Sequence, residues 1–173
     1  MVVYINGAFG VGKTTVAELL VAKVPDAILF DPELVGAVLT QTLGAVDPKD
    51  DFQQYQSWSE LVGAFVRSIR NAYPRSNIIV PMSLLDEGIR NRTIAEMRRV
   101  DADFCPFTLV ASTEELERRI HGRECSDESR AWCLQHMAAA PQAEFDDITI
   151  IDTTALAPEA VAERILHAIA NRG

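Results

Sequence analysis

Gly7-Ala8-Phe9-Gly10-Val11-Gly12-Lys13-Thr14 follows the spacing G-x-x-x-x-G-K-[ST], the pattern of a phosphate-cradling P-loop. Its flanks decide the fold. Residues 1–6 are a short apolar run rich in Val, Ile and Tyr, which reads as a buried strand. Residues 15–24 carry Val16, Leu19 and Leu20 at helical spacing, which reads as a helix. A loop that leaves a strand and enters a helix aims its backbone N–H groups at one point. Three glycines allow the turn, and the helix N-terminus adds positive potential. In such a loop Lys13 bridges the β- and γ-phosphates while Thr14 offers its hydroxyl to Mg²⁺. The pattern predicts nucleotide contacts along Gly7, Ala8, Phe9, Gly10, Val11, Gly12, Lys13, Thr14 and Thr15.

Working outward, apolar runs alternate with helical patterns. Strands are expected at residues 27–30, 77–81, 103–110 and 148–151. Helices are expected at 33–43, 52–72, 86–100, 113–122, 131–140 and 158–170, with Pro158 at a favoured first-turn position. Residues 124–130 are polar and expected to be mobile. Five apolar strands alternating with helices imply a parallel sheet covered on both faces. Right-handed crossovers then gather the loops after the strands on one edge, where ligands bind.

The 173 residues suit one domain. A net charge of −9 argues against a nucleic-acid surface. No apolar stretch approaches the roughly 20 residues of a membrane span, and the first strand feeds the P-loop directly, so a signal peptide is not expected. Cys105, Cys125 and Cys133 lack metal-ligand spacing and read as free thiols of a cytoplasmic protein. His121, His136 and His167 form no cluster.

Several groups are candidates for chemistry. Asp31-Pro32-Glu33 ends the second strand, so Asp31 can be a base for an attacking hydroxyl, an outer Mg²⁺ ligand or a helix N-cap. Asp50-Asp51-Phe52-Gln53 with Tyr55 and Trp58 opens the long helix. Asp51, Gln53, Tyr55 and Trp58 there suit recognition of a sugar or base, although Trp58 also lies on the apolar stripe of a core helix. Arg119 and Arg123, four apart, share a helix face after the fourth strand. There a kinase lid supplies charge to a transferring phosphoryl group, and a solvated basic face is the alternative. Arg118 points off that face. Thr153, after the last strand, is a candidate contact for the adenine. The third strand ends Val80-Pro81-Met82-Ser83 without the carboxylate usual for a Walker B strand, and no guanine-reading Asn-Lys-x-Asp run occurs.

The residues Ile5 to Thr14, Asp31-Pro32-Glu33 with Gly36, Asp50-Asp51-Phe52-Gln53 with Tyr55 and Trp58, Ile79-Val80-Pro81-Met82, and Arg119 with Arg123 and Trp132 resemble the tunicamycin-resistance ATP-binding protein family. That family is similar to small P-loop kinases of the nucleoside-kinase and chloramphenicol-phosphotransferase type. The resemblance implies strand order 2-3-1-4-5, ATP with Mg²⁺, a lid, and protection against tunicamycin, a lipid-linked uridine nucleoside antibiotic. Family members can extend into a C-terminal amphipathic segment implicated in membrane association. This chain stops at Gly173 just after one helix, a departure from that pattern that puts a membrane role in doubt.

The combined expectation is an α/β P-loop kinase-like three-layer sandwich, one domain over residues 1–173, with an arginine-bearing lid at about 113–135. ATP and Mg²⁺ are the expected cofactors, with Thr14 as metal ligand. Lys13, Asp31, Arg119 and Arg123 are the catalytic candidates. Asp31, Asp51, Gln53, Tyr55 and Trp58 are the acceptor-binding candidates. The expected reaction moves the γ-phosphate to a hydroxyl of a nucleoside or sugar-like compound. The alternatives are a protein that binds ATP and sequesters the antibiotic unmodified, and a housekeeping small-molecule kinase. The candidate partners are the small-molecule acceptor and a second copy of the chain.

Overall fold

A computed structural model describes residues 1–84, 86–137 and 148–171. Strands β1 (Val2–Gly7), β2 (Ala27–Leu29), β3 (Asn77–Met82), β4 (Phe104–Val110) and β5 (Thr149–Asp152) form one sheet in the order β2-β3-β1-β4-β5. All the pairings are parallel, with Val2 beside Ile78 on one side and Phe104 on the other. The order is the one that the resemblance implied. Helices α1 (Lys13–Lys23), α2 (Glu33–Leu43), α3 (Trp58–Ala72), α4 (Glu87–Val100), α5 (Thr113–His121), α6 (Asp127–Gln135) and α7 (Pro158–Ala170) cover it.

Side chains that alternate along the strands build two apolar layers. On one face Val2, Tyr4, Ile78 and Val80 pack with Trp58, Val62 and Val66 of α3 and with Ile94 and Met97 of α4. On the other, Val3, Ile5, Phe107 and Leu109 pack with Val16 and Leu20 of α1 and with Val161 and Ile165 of α7. Every residue of β1 is buried, so the P-loop leaves the best-anchored strand of the sheet.

Two helical expectations change. The helix expected over 52–72 is two elements, a 3-10 turn (Phe52–Gln54) and then α3. Asp51 caps the turn by accepting from Gln53 N, and extended backbone at Tyr55 (φ −65°, ψ 121°) ends it. The polar run 124–130 also holds the start of a helix. Ser126 caps α6 by accepting from Ser129 N, so the helix begins at Asp127 instead of 131. The end of that expected helix, at 138–140, lies outside the described residues. Among the described residues, no helix is long and apolar enough to cross a membrane.

Candidate nucleotide and acceptor site

The P-loop curls over the carboxyl edge of the sheet. Gly10 (φ 83°) and Gly12 (φ 100°) adopt backbone angles that side chains rarely take. A Cβ on Gly10 would lie 2.9 Å from Ile120 Cγ1 and 3.3 Å from Leu116 O, so α5 rests directly on the loop. A Cβ on Gly12 would project into open space. That open space belongs to a cavity of about 920 Å³, lined by Phe9 through Val16 of the loop and first helix. Gly7 and Ala8 sit beneath its wall, with Ala8 buried in the second apolar layer.

Lys13 Nζ donates to Ala8 O at 2.9 Å and lies 5.6 Å from the centroid of the Phe9 ring. Burial lowers its pKa to about 8. The Glu33 carboxylate opposes that shift and the Arg123 guanidinium adds to it. Thr14 and Thr15 are exposed at the mouth. Where a Walker B acid is usual, Ser83 lines the cavity. Next to it Asn6 clasps Leu84, its Oδ1 accepting from Leu84 N at 2.9 Å and its Nδ2 donating to Leu84 O at 3.4 Å. This fixes the loop after β3 to the strand that enters the P-loop.

The acceptor side differs from the sequence expectation. Asp31 turns back to its own chain, its Oδ1 accepting from Glu33 N at 2.9 Å at the start of α2, and Glu33 is the residue that lines the cavity. Desolvation, with the neighbouring Asp31 and Asp51 carboxylates, raises the Glu33 pKa against the pull of Lys13 and Arg123. Asp51 Oδ1 caps the 3-10 turn at 2.9 Å, and Gln53 Nε2 donates to Ser83 O at 2.9 Å. Both therefore brace the wall from behind. Tyr55 and Trp58 are core residues, 4% and 0% exposed. Trp58 Nε1 donates to Pro32 O at 3.3 Å. Trp58 thus holds the start of α2, and full burial overturns the expectation that it contacts an acceptor. A sequence signal for Glu33 was available: it is the acid in the first turn of the helix that follows Asp31-Pro32.

The two arginines part company. Helix α5 ends at His121 and Gly122 caps it, so Arg123 lies in the following turn and shares no helix face with Arg119. Arg119 spans three elements. Its Nε donates to Glu115 Oε1 at 2.6 Å and its Nη1 to Val11 O and Thr153 Oγ1, each at 3.1 Å. Its Nη2 donates to Thr153 O at 2.7 Å. Arg118 and Arg119 hold Glu115 at a pKa of about 2. Arg118 is mostly exposed but also lines the cavity. Thr153 is buried and its hydroxyl donates to Val110 O, so it braces the cavity wall, and residues 153–158 form the rim beside it. Among the described residues no cluster of His, Cys, Asp and Glu could hold a metal by itself.

Comparison with known proteins fits this geometry. No curated protein matches the chain in sequence. Among solved structures, it is similar to the Deinococcus radiodurans tunicamycin resistance protein. Identity is 25% and the TM-score 0.73, covering 98% of this chain and 95% of that one. It shares its fold with a gluconokinase from Sinorhizobium meliloti 1021 (17% identity, TM-score 0.66, 98% and 91% covered). The Mycobacterium tuberculosis APS kinase has it too (15% identity, TM-score 0.67, 98% and 96% covered). The architecture is thus that of P-loop kinases. Residues 2–139, which hold the P-loop, four of the five strands, the braced Arg119 and α6, match the family described as AAA domain, and the chain belongs to that family.

Proposed function

We propose that the protein is an ATP-dependent small-molecule kinase that transfers the γ-phosphate to a hydroxyl of an uncharged nucleoside or sugar-like acceptor, with a tunicamycin-type uridine nucleoside as the first candidate. One observation carries this reading: Lys13, Arg123 and Glu33 line one cavity at the mouth of the P-loop. The residues suit a magnesium nucleotide: a Cβ on Gly12 would meet nothing within 4 Å, and the exposed Thr14 lines the same cavity. When bound, Mg²⁺ neutralises phosphate charge, and Thr14 Oγ1 would be its side-chain ligand, the remaining positions falling to phosphate and water.

In this reading Lys13 and Arg123 gather the charge of the phosphoryl group, while the backbone N–H groups of the loop orient it. Glu33 accepts the proton of the acceptor hydroxyl. The acceptor oxygen bonds to the γ-phosphorus as the bond from that phosphorus to the bridging oxygen breaks, and ADP leaves. Burial first, and then the Asp31 and Asp51 carboxylates, raise the Glu33 pKa above the ordinary carboxylate value, as suits a base. The nearby carboxylates of Asp31 and Asp51 disfavour an anionic acceptor, which supports an uncharged one.

The test separates Glu33 from Asp31. Glu33→Gln should lower turnover by about 10²–10⁴-fold with ATP affinity little changed. Asp31→Asn should be mild, since Asn caps nearly as well as Asp. A large loss in Asp31→Asn, with near-normal turnover in folded Glu33→Gln, would return the base to Asp31.

A further inference from the structure

Helix α6 carries no buried side chain, yet it forms part of the cavity wall through Cys133. It is seated by an aromatic ladder. The Trp132 ring stands edge-on to Phe9, with centroids 4.8 Å apart at 74°. Its other neighbour is His136, stacked at 4.3 Å and 24°. His136 Nδ1 donates to Trp132 O at 2.8 Å, which holds the imidazole in place. Met137, just beyond, packs on the second apolar layer.

The ladder ends on Lys13. Phe9 is the third residue of the P-loop and belongs to neither apolar layer among the described residues. One side of its ring meets Trp132, and Lys13 Nζ lies 5.6 Å from its centroid. The Lys13 ammonium is thus held between the Ala8 carbonyl and an aromatic ring, and a residue 123 positions from Phe9 meets that ring.

We propose that Trp132 is a positioning residue. By fixing Phe9 it holds Lys13 in reach of the nucleotide phosphates, so the seating of α6 sets nucleotide affinity. This rests on the reading that the P-loop binds ATP. With Trp132 truncated, the Phe9 ring gains rotamers and the ammonium gains water, and both must be given up again when phosphate binds. An aromatic pair of this geometry corresponds to about a two- to tenfold change in affinity.

The experiment is a double-mutant cycle read by calorimetry with Mg·ATP and no acceptor, on wild type, Trp132→Ala, Phe9→Leu and the double variant. Trp132→Ala and Phe9→Leu should each weaken binding about two- to tenfold, the double variant should be little worse than either, and Trp132→Phe should restore most of the affinity. The emission of Trp132, taken as wild type minus Trp132→Phe, should change when Mg·ATP is added. The other tryptophan, Trp58, is fully buried in the core. Wild-type affinity in Trp132→Ala, or losses that simply add, would overturn the proposal. A merely structural role would lower the melting temperature without moving affinity. Failure of wild type to bind Mg·ATP better than Lys13→Ala would instead sink the nucleotide reading beneath it. If Trp132→Ala does not fold, Phe9→Leu tests the same contact from the loop side.

Discussion

Arg119→Ala should destabilise the protein in the absence of any nucleotide. A lid arginine that waits for phosphate would contribute to stability only after ATP arrives. Arg119 already has its partners: besides Glu115 it donates to the carbonyls of Val11 and Thr153. Those two carbonyls belong to the P-loop and to the loop after β5, so the guanidinium is the strut between them. A hydrogen bond from a charged donor contributes about 1.5–3 kcal/mol. The pocket is open enough for water to replace part of that, and the two contacts share one side chain. A loss of about 2–3 kcal/mol is therefore expected. In a domain of this size it lowers the melting temperature by about 5–10 °C. Arg119→Lys should recover little, because an ammonium lacks the planar fork that reaches both carbonyls. Arg118→Ala is the comparison. Arg118 pairs with the same Glu115 but is 72% exposed, so its loss should barely move the denaturation midpoint. Urea denaturation of the three variants without nucleotide reads this directly. Equal midpoints for Arg119→Ala and Arg118→Ala would refute the strut.

Other outcomes follow from the same geometry. Lys13 sits near 8 in the folded protein against an ordinary 10.5, chiefly through burial. The unfolded chain therefore holds the extra proton between those values, and stability should rise with pH from about 8 to 10.5. Lys13→Met should abolish that part of the rise in urea titrations, and Mg·ATP affinity of the wild type should fall as pH passes 8. Trp58→Ala should cost about 3–5 kcal/mol by chemical denaturation, as expected for a fully buried indole that also holds Pro32. A loss confined to acceptor KM, with unchanged stability, would restore Trp58 to the binding surface.

The frame was legible because it depends on local pattern. A P-loop between an apolar strand and a helix leaves few topologies, and α2 and α7 run over the residues that periodicity indicated, 33–43 and 158–170. The misplaced helix bounds and arginines have two physical origins. One is a cap overlooked. Ser126 starts α6 four residues early, and the Asp51 cap with extended Tyr55 splits what periodicity joined. The other is distance along the chain. Arg119 finds Val11 across 108 residues and Thr153 across 34. Both arginines line the cavity, and nothing in their spacing tells that Arg119 is braced by its own chain while Arg123 lies beyond the helix end. The acceptor wall failed for a third reason, since a carboxylate that caps a helix and one that faces a ligand look alike in sequence. Only the fold shows that Asp31 turns back onto Glu33 N while Glu33 lines the cavity with Lys13.

The central claim is that this P-loop passes a phosphoryl group to an uncharged hydroxyl acceptor. The most direct measurement is mass spectrometry of tunicamycin and simple uridine nucleosides after incubation with the protein and Mg·ATP, beside a Lys13→Ala control. The expected product is heavier by one phosphoryl group, formed in step with ADP and absent from the control. Acceptors recovered unchanged while bound tightly, with ATP at most hydrolysed, would contradict it and leave a protein that sequesters its ligand.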